Sequence, residues 1–285
     1  MGRRSSKLES FLAYQGLILI IILILIGLGK SLLISFGIYD EIGINTFTTS
    51  YYSNIFNDKT FIESLIFSLK ISVISSAIAL VLGVFLSYGI FNSKIFDIYL
   101  KIPVIIPHII IAISLVNLFS QTGIISRVLY NFGLLSNSSD FYQMFYDKNA
   151  IGVIFTYAFK GAAYAAMVFL EIYRKISINQ LYAAKNLGAS DLKEFYYVIF
   201  PYIKREMLEI FLILFNFSIS SYEVPLLIGP TVPRTLAIKS YVEFSKNSFI
   251  YKPNAFAINI ILTLIGLLSI ILLLVFGVKN DEKDL

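Results

Sequence analysis

The sequence contains no cysteine and a single histidine, His108. The first absence excludes disulfides, thiolate metal sites and thiol nucleophiles, and it leaves the redox compartment undetermined. The second leaves zinc without the several nitrogen or sulfur ligands it requires. Charge is scarce too: 14% of the 285 residues are Asp, Glu, Lys or Arg, where an ordinary soluble domain carries about 25%. Apolar residues, 57% of the chain, take their place. They form uninterrupted runs, and several reach the roughly 20 helical residues needed to cross a hydrocarbon layer. Lipid is therefore the expected solvent.

The net charge is +5. Many of the basic residues lie in short segments beside apolar runs, as at the cytoplasmic flanks of membrane spans. No basic stripe with interleaved aromatics stands on a soluble module, so nucleic acid is not an expected partner. The first run, behind Arg3, Arg4 and Lys7, looks like a signal peptide at first sight. It is too long and has no small-x-small cleavage site, so it reads as a retained span.

Six spans are predicted, at about 14–36, 61–91, 103–121, 150–172, 206–229 and 255–277. They follow a short arm at 1–13 and precede a tail at 278–285. An even number of crossings places both termini on one side. The even loops carry Lys94 and Lys101, then Arg174, Lys175, Lys185, Lys193, Lys204 and Arg205, and the tails add Arg3, Arg4, Lys7, Lys279 and Lys283. By the positive-inside rule these are cytoplasmic. The fifth loop dissents, because Arg234, Lys239, Lys246 and Lys252 all fall outside. Backbone pairing within each segment makes the fold an all-α, polytopic helical bundle, in one domain without a repeat or linker.

The segment SINQLYAAKNLGASDLKEFYYVIFP at 177–201, within the loop 173–205, reads as two short helices and a turn. Ser177 is a candidate N-cap and Gly188 a candidate C-terminal stop. Asp191 with Glu194 suggests a capping box for the second helix, which Pro201 interrupts. Ala184 and Gly188, four apart, leave a corner of small residues that a partner surface can approach closely.

This segment resembles the cytoplasmic signature of the permeases of binding-protein-dependent ABC importers: Glu-Ala-Ala, three residues, Gly, nine residues, then Ile-x-Leu-Pro. Tyr182, Ala183, Ala184, Gly188, Val198, Phe200 and Pro201 fall in that register, with Tyr182 in place of the acid. The resemblance implies a MetI-like fold of six spans in a bacterial plasma membrane, with a coupling helix at 178–190. It also implies partners: a cytoplasmic ATPase dimer, a second and similar permease, and an extracytoplasmic solute-binding protein. Tyr182, Ala183, Ala184, Gly188, Ala189, Asp191 and Pro201 are then the expected ATPase contacts. No cofactor and no covalent chemistry are expected of this subunit. The Gly-Lys-Ser of GLGKS at 27–31 lacks the preceding glycine and strand of a phosphate loop, so ATP is expected to be hydrolysed elsewhere.

An ionised side chain deep in a membrane costs at least about 2.5 to 3.5 kcal/mol, so Glu223 needs a wet cavity or a partner. It follows Asn216, Ser221 and Tyr222 and precedes Pro225, as in a broken, cavity-lining span. The surrounding stretch resembles the polyamine, iron and thiamine branch of the importers, which makes a polyamine the first choice of cargo, ahead of ferric iron, thiamine or organophosphonate. Glu223 is then either a counter-charge in the path or a structural anion paired with Lys160 or a loop base. Lys160 either pairs with such an acid or snorkels to an interface. Asn117 and Gln121 share a face and either line the path or bond between helices, and His108 is expected at a helix end. An ion-coupled transporter or channel is the alternative from another class. It calls for acid pairs or inverted repeats that the sequence does not offer.

Overall fold

The computed structural model describes residues 2–40, 43–90 and 94–281, and the side chains of these except 2–13, 44, 90, 94–97, 205 and 276–281. The basic groups expected at Arg3, Arg4, Lys7, Lys94, Arg205, Lys279 and Lys283 therefore lie outside the described residues. The long apolar runs become helices, since hydrocarbon offers the backbone no partner but itself. In chain order these are α1 (Gly2–Ser35), α2 (Ser50–Asn57), α3 (Lys59–Ile90), α4 (Lys94–Ile105), α5 (His108–Phe119), α6 (Ile124–Asn131), α7 (Ile151–Tyr173), α8 (Ile178–Asn186), α9 (Asp191–Glu194), α10 (Phe200–Ser220), α11 (Glu223–Ile228), α12 (Leu236–Ser245) and α13 (Lys252–Asp281). Among the described residues the extended structure is one small hairpin, β1 (Ile38–Tyr39) against β2 (Ile44–Asn45).

Among the described residues five stretches are long and apolar enough to cross a membrane: Tyr14–Ser35, Lys59–Gly89, His108–Asn131, Ile151–Tyr173 and Phe249–Val275. They correspond to five of the six expected spans. The remaining one, expected at 206–229, is α10 followed by the separate α11. It falls short on composition because the first half of α10 carries Lys204, Arg205, Glu206 and Glu209. The expected third span, 103–121, is also interrupted: α4 stops at Ile105 and α5 restarts at His108, with Pro107 between them.

The contacts divide the chain into two units, one of residues up to Lys59 with Lys239–Thr263, the other of Thr60–Ile238 with the segment from Leu264. In the first unit α1 ends at a turn where Gly37 has φ +84°, and an added Cβ would stand 2.8 Å from the Thr46 carbonyl oxygen. Ser35 and Tyr52 share a hydrogen bond of 2.7 Å, and Phe36 stacks on Phe47. The bases of the fifth loop in this unit find local partners. Lys239 pairs with Asp58 at 2.7 Å, Lys246 pairs with Glu243 at 2.7 Å, and the Lys252 ammonium lies 3.8 Å from the Phe244 ring centroid. The Asp58–Lys239 pair puts the end of the first loop and the fifth loop together, as an even number of intervening crossings requires.

In the second unit α7 is the axis. Gly161, Ala162, Ala163, Ala165 and Ala166 are all buried, and small side chains let neighbouring helices approach closely where hydrophobic attraction is absent. An added Cβ on Gly161 would stand 2.8 Å from the Ala79 Cβ, and one on Gly83 would overlap Ala165. The pairs Ala79 with Gly161 and Gly83 with Ala165 ascend together, so α3 and α7 run parallel with their backbones in near contact. Around this axis Ile111, Leu115, Val153, Val224 and Ile228 form one core, and Phe169, Tyr173, Ile199, Ile203 and Ile210 another. Hydrogen bonds tie helices laterally: Ser75 to Ser218 at 3.4 Å, Ser269 to Asn216 at 2.7 Å, and the Leu236 amide to Ser68 Oγ at 2.7 Å.

Gly161→Val forces α3 away from α7 and is expected to destabilise the chain by about 1–3 kcal/mol. The measurement is a thermal melt of the purified chain in detergent. Gly89→Ala, at a position with nothing within 4 Å of an added Cβ, should melt no lower than the parent.

Candidate functional site

The loop between α7 and α10 folds as expected in outline and differs in its details. Ser177 stands at the N-cap of α8, but its side chain makes no capping bond. At the other end the Gly188 amide donates to Lys185 O at 2.9 Å and the Ala189 amide to Ala184 O at 3.0 Å, with Gly188 at φ +78°. This paired closure needs a left-handed residue, which glycine supplies without strain. The capping box expected at Asp191 is not formed. Ser190 takes the N-cap position of α9, and the Glu194 amide reaches Ser190 O at 2.8 Å. Pro201 does not end the helix either. A π turn at Phe195–Ile199 precedes it, with the Phe200 amide bonded to Phe195 O, and Pro201 falls in the first turn of α10, where its missing N–H leaves nothing unpaired.

The faces of α8 separate the expected contact residues. Ile178, Leu181, Tyr182 and Lys185, spaced i, i+3, i+4 and i+7, line a cavity of about 490 Å³ behind the loop, with Tyr182 at its exposed rim. Ala183 and Gly188 lie on the exposed side, and Ala184 and Ala189 are half-buried. The inner side is fastened to the helices above it: Tyr88 Oη donates to Asp191 O at 3.3 Å, Tyr202 Oη to Gln180 Oε1 at 3.1 Å, and Leu181 and Phe195 pack against Tyr173, Ile199 and Ile203. The outer side carries two large apolar residues absent from the sequence-based set, Leu187 at 88% and Leu192 at 82% exposure. Helical periodicity gives no reason to single them out, because they flank the turn and do not sit on one helix.

The membrane candidates fall at two helix breaks. At the first, the amides of Ile110 and Ile111 both turn to Pro107 O, and the freed carbonyl of Ile106 accepts a hydrogen bond from the Lys160 ammonium. A cation at a helix C-terminus also meets the negative end of its dipole. Lys160 therefore neither pairs with Glu223 nor snorkels; it is held by the backbone. His108 begins α5, as expected of a helix end, with its ring stacked 4.2 Å from Phe217. At the second break α10 ends at Ser220 and α11 begins at Glu223. Val224, Pro225 and Ile228 are buried in the core, which turns Tyr222, Glu223 and Leu226 outward. Among the described residues Glu223 has no ion-pair partner. Gln121 donates to Ser139 O and Phe141 O and so braces the third loop, and Asn216 accepts from Ser269. Asn117 and Tyr222 are exposed, and Ser221 is half-covered at the break itself.

A family model described as the binding-protein-dependent transport system inner membrane component matches residues 75–279, which takes in the loop and both breaks. The chain belongs to that family. It is a permease of the MetI-like ABC importers, a membrane-embedded class whose ATPase is a separate component. This permease is 25% identical over 271 residues to the spermidine/putrescine transport system permease protein PotC homolog of Mycoplasma genitalium, covering 92% of this chain and 86% of that one. It is 21% identical over 236 residues to the probable transport system permease protein NifC of Clostridium pasteurianum, covering 80% and 77%. In fold it is similar to a bacterial ABC transporter involved in the import of the acidic polysaccharide alginate, with a TM-score of 0.74, 17% identity and 98% coverage of both chains.

Lys160→Met leaves the Ile106 carbonyl unpaired in a half-buried site and is expected to cost about 1 kcal/mol of stability, with Lys160→Arg retaining most of it. Thermal melts give the difference, and hydrogen exchange at the amides of residues 108–111 reports whether the break itself loosens.

Proposed function

We propose that this permease forms the path of an ATP-driven importer for a small organic cation, with a polyamine such as spermidine or putrescine as the cargo. Its partners are an ATPase dimer below, a second and similar permease beside it, and an extracytoplasmic binding protein that delivers the cargo. The assembly sits in a bacterial plasma membrane with both termini in the cytoplasm, the arm at 1–13 and the tail at 278–285 flanking the permease domain at 14–277.

The observation that carries the coupling role is the asymmetry of the loop. Its inner face is fastened to α3, α7 and α10, and its outer face offers Ala183, Leu187, Gly188 and Leu192. Covering a leucine side chain contributes about 1.5–3 kcal/mol, so this corner favours a partner with an apolar groove. A conformational change driven by ATP requires differential contact of this kind between two states. The cargo assignment is supported by Glu223, which the core turns outward beside a helix break, and by the likeness to the PotC homolog.

Two sets of variants test these parts separately. Leu187→Ser with Leu192→Ser leaves the inner face intact and is expected to reduce co-purification of the ATPase and uptake together. Gly188→Asn, which tolerates the left-handed backbone, tests the corner without unfolding it. Full retention of ATPase in both chains removes the docking role. Glu223→Gln is expected to lower putrescine uptake at limiting concentration about tenfold, one lost charge contact, with ATPase binding unchanged. Equal uptake across concentrations takes Glu223 out of the path.

A further inference from the structure

The cavity behind the loop has chemistry that docking does not use. It holds about 490 Å³, within the range of sites for small organic molecules. Three phenol rings line it, those of Tyr88, Tyr173 and Tyr182, together with two carboxylates, Asp191 and Glu194, and one ammonium, Lys185. The lining is thus net negative by one charge. Glu194 is the unusual member. Its side chain is only 9% exposed, and its Oε2 is buried without a hydrogen bond; the nearest cation, Lys185 Nζ, lies 3.7 Å away at the end of a side chain that is 57% exposed. A carboxylate removed from water normally takes a full set of charge-assisted donors. At 3.7 Å, Lys185 leaves Oε2 without a hydrogen-bond donor. A short-chain acid set among aromatic walls is the arrangement that receives alkylammonium groups, the rings attracting the cation and the acid neutralising it.

We propose that this cavity is a binding site for an organic ammonium ion, with Glu194 as its counter-ion and the three tyrosines as its walls. The site is distinct from Glu223 and the membrane path, and it does not depend on what the importer carries. Because α8 supplies one wall and α9 another, occupancy sets the spacing between the loop and the helices that hold it. An internal amine would in this way alter how the outer corner is presented.

The chain contains no tryptophan, so Tyr182→Trp introduces one fluorophore at the cavity wall. The experiment titrates tetramethylammonium, and neopentyl alcohol as its uncharged counterpart, into this chain in lipid nanodiscs and reads the emission. Saturation-transfer NMR with the same probes on the unsubstituted chain guards against damage by the reporter. The expected result is a saturable response to tetramethylammonium and none to the alcohol. Glu194→Gln should weaken it at least about tenfold, and Lys185→Met should tighten it by removing the competing ammonium. A flat titration in the unsubstituted chain overturns the proposal, as does equal affinity in Glu194→Gln. Loss of the signal in Glu223→Gln instead places the ion in the membrane and overturns it too.

Discussion

In hydrocarbon a backbone amide or carbonyl without a partner costs several kcal/mol, and this requirement governs where the chain can stop being helical. Two interruptions are tolerated in the second unit, and each is resolved with groups already at hand. At Ile106–Pro107 the remedy is a lysine side chain from α7; at Ser221 and Tyr222 it is short-range backbone bonding, with the Ser221 amide on Phe217 O and the Leu226 amide on Tyr222 O. A break resolved in this manner leaves exposed a polar side chain beside it without leaving these backbone groups unpaired. Glu223 stands at such a point, so its orientation is a consequence of the Val224 and Ile228 side chains anchoring α11 on the opposite face.

The loop follows the reverse logic, since water satisfies its backbone and packing decides its shape. Its inner residues Leu181, Phe195 and Val198 pack on the core formed by Phe169 and Tyr173 of α7 with Ile203 and Ile210 of α10. Its outer residues include Leu187 and Leu192, 88% and 82% exposed. A fastened inner face and an uncovered outer surface are the two properties that the proposed docking role requires. The Schellman closure at Gly188 contributes to the first property, because it ends α8 sharply and brings α9 back beneath the helices.

The long spans were legible in the sequence because twenty apolar residues in lipid have few alternatives. Gly188 was legible as a stop for a local reason, the left-handed backbone that only glycine adopts freely. The role of Lys160 was not, since its partner is a backbone carbonyl 54 positions earlier, made available by a proline that the hydrophobic run conceals. Gln121 was hidden in the same manner: helical spacing from Asn117 suggested a path lining or an interhelical bond, but α5 ends at Phe119 and Gln121 donates to the third loop instead. The π turn at Phe195–Ile199 was hidden too, since the sequence offers Pro201 as a breaker more readily than as the first turn of a continued helix. Of the site, then, register was readable, and the assignment of each residue to an inner or outer face was not.

The basic fifth loop illustrates how a topological rule and a folded structure address different things. The positive-inside rule counts lysines and arginines near span ends during insertion, and by that count Lys239, Lys246 and Lys252 argue against an external loop. In the folded chain none of the three is left to face a bilayer surface alone. Lys239 is 85% covered and joined to Asp58, Lys246 is held by both carboxylate oxygens of Glu243, and Lys252 lies over aromatic rings. Arg234 in the second unit turns its Nε to Thr231 O. The Asp58 partner comes from the acidic segment before α3, which the same rule places outside. Two segments that the rule assigns to opposite sides by charge alone are therefore bonded to each other, and a bond of 2.7 Å between them admits only an arrangement in which they share a side.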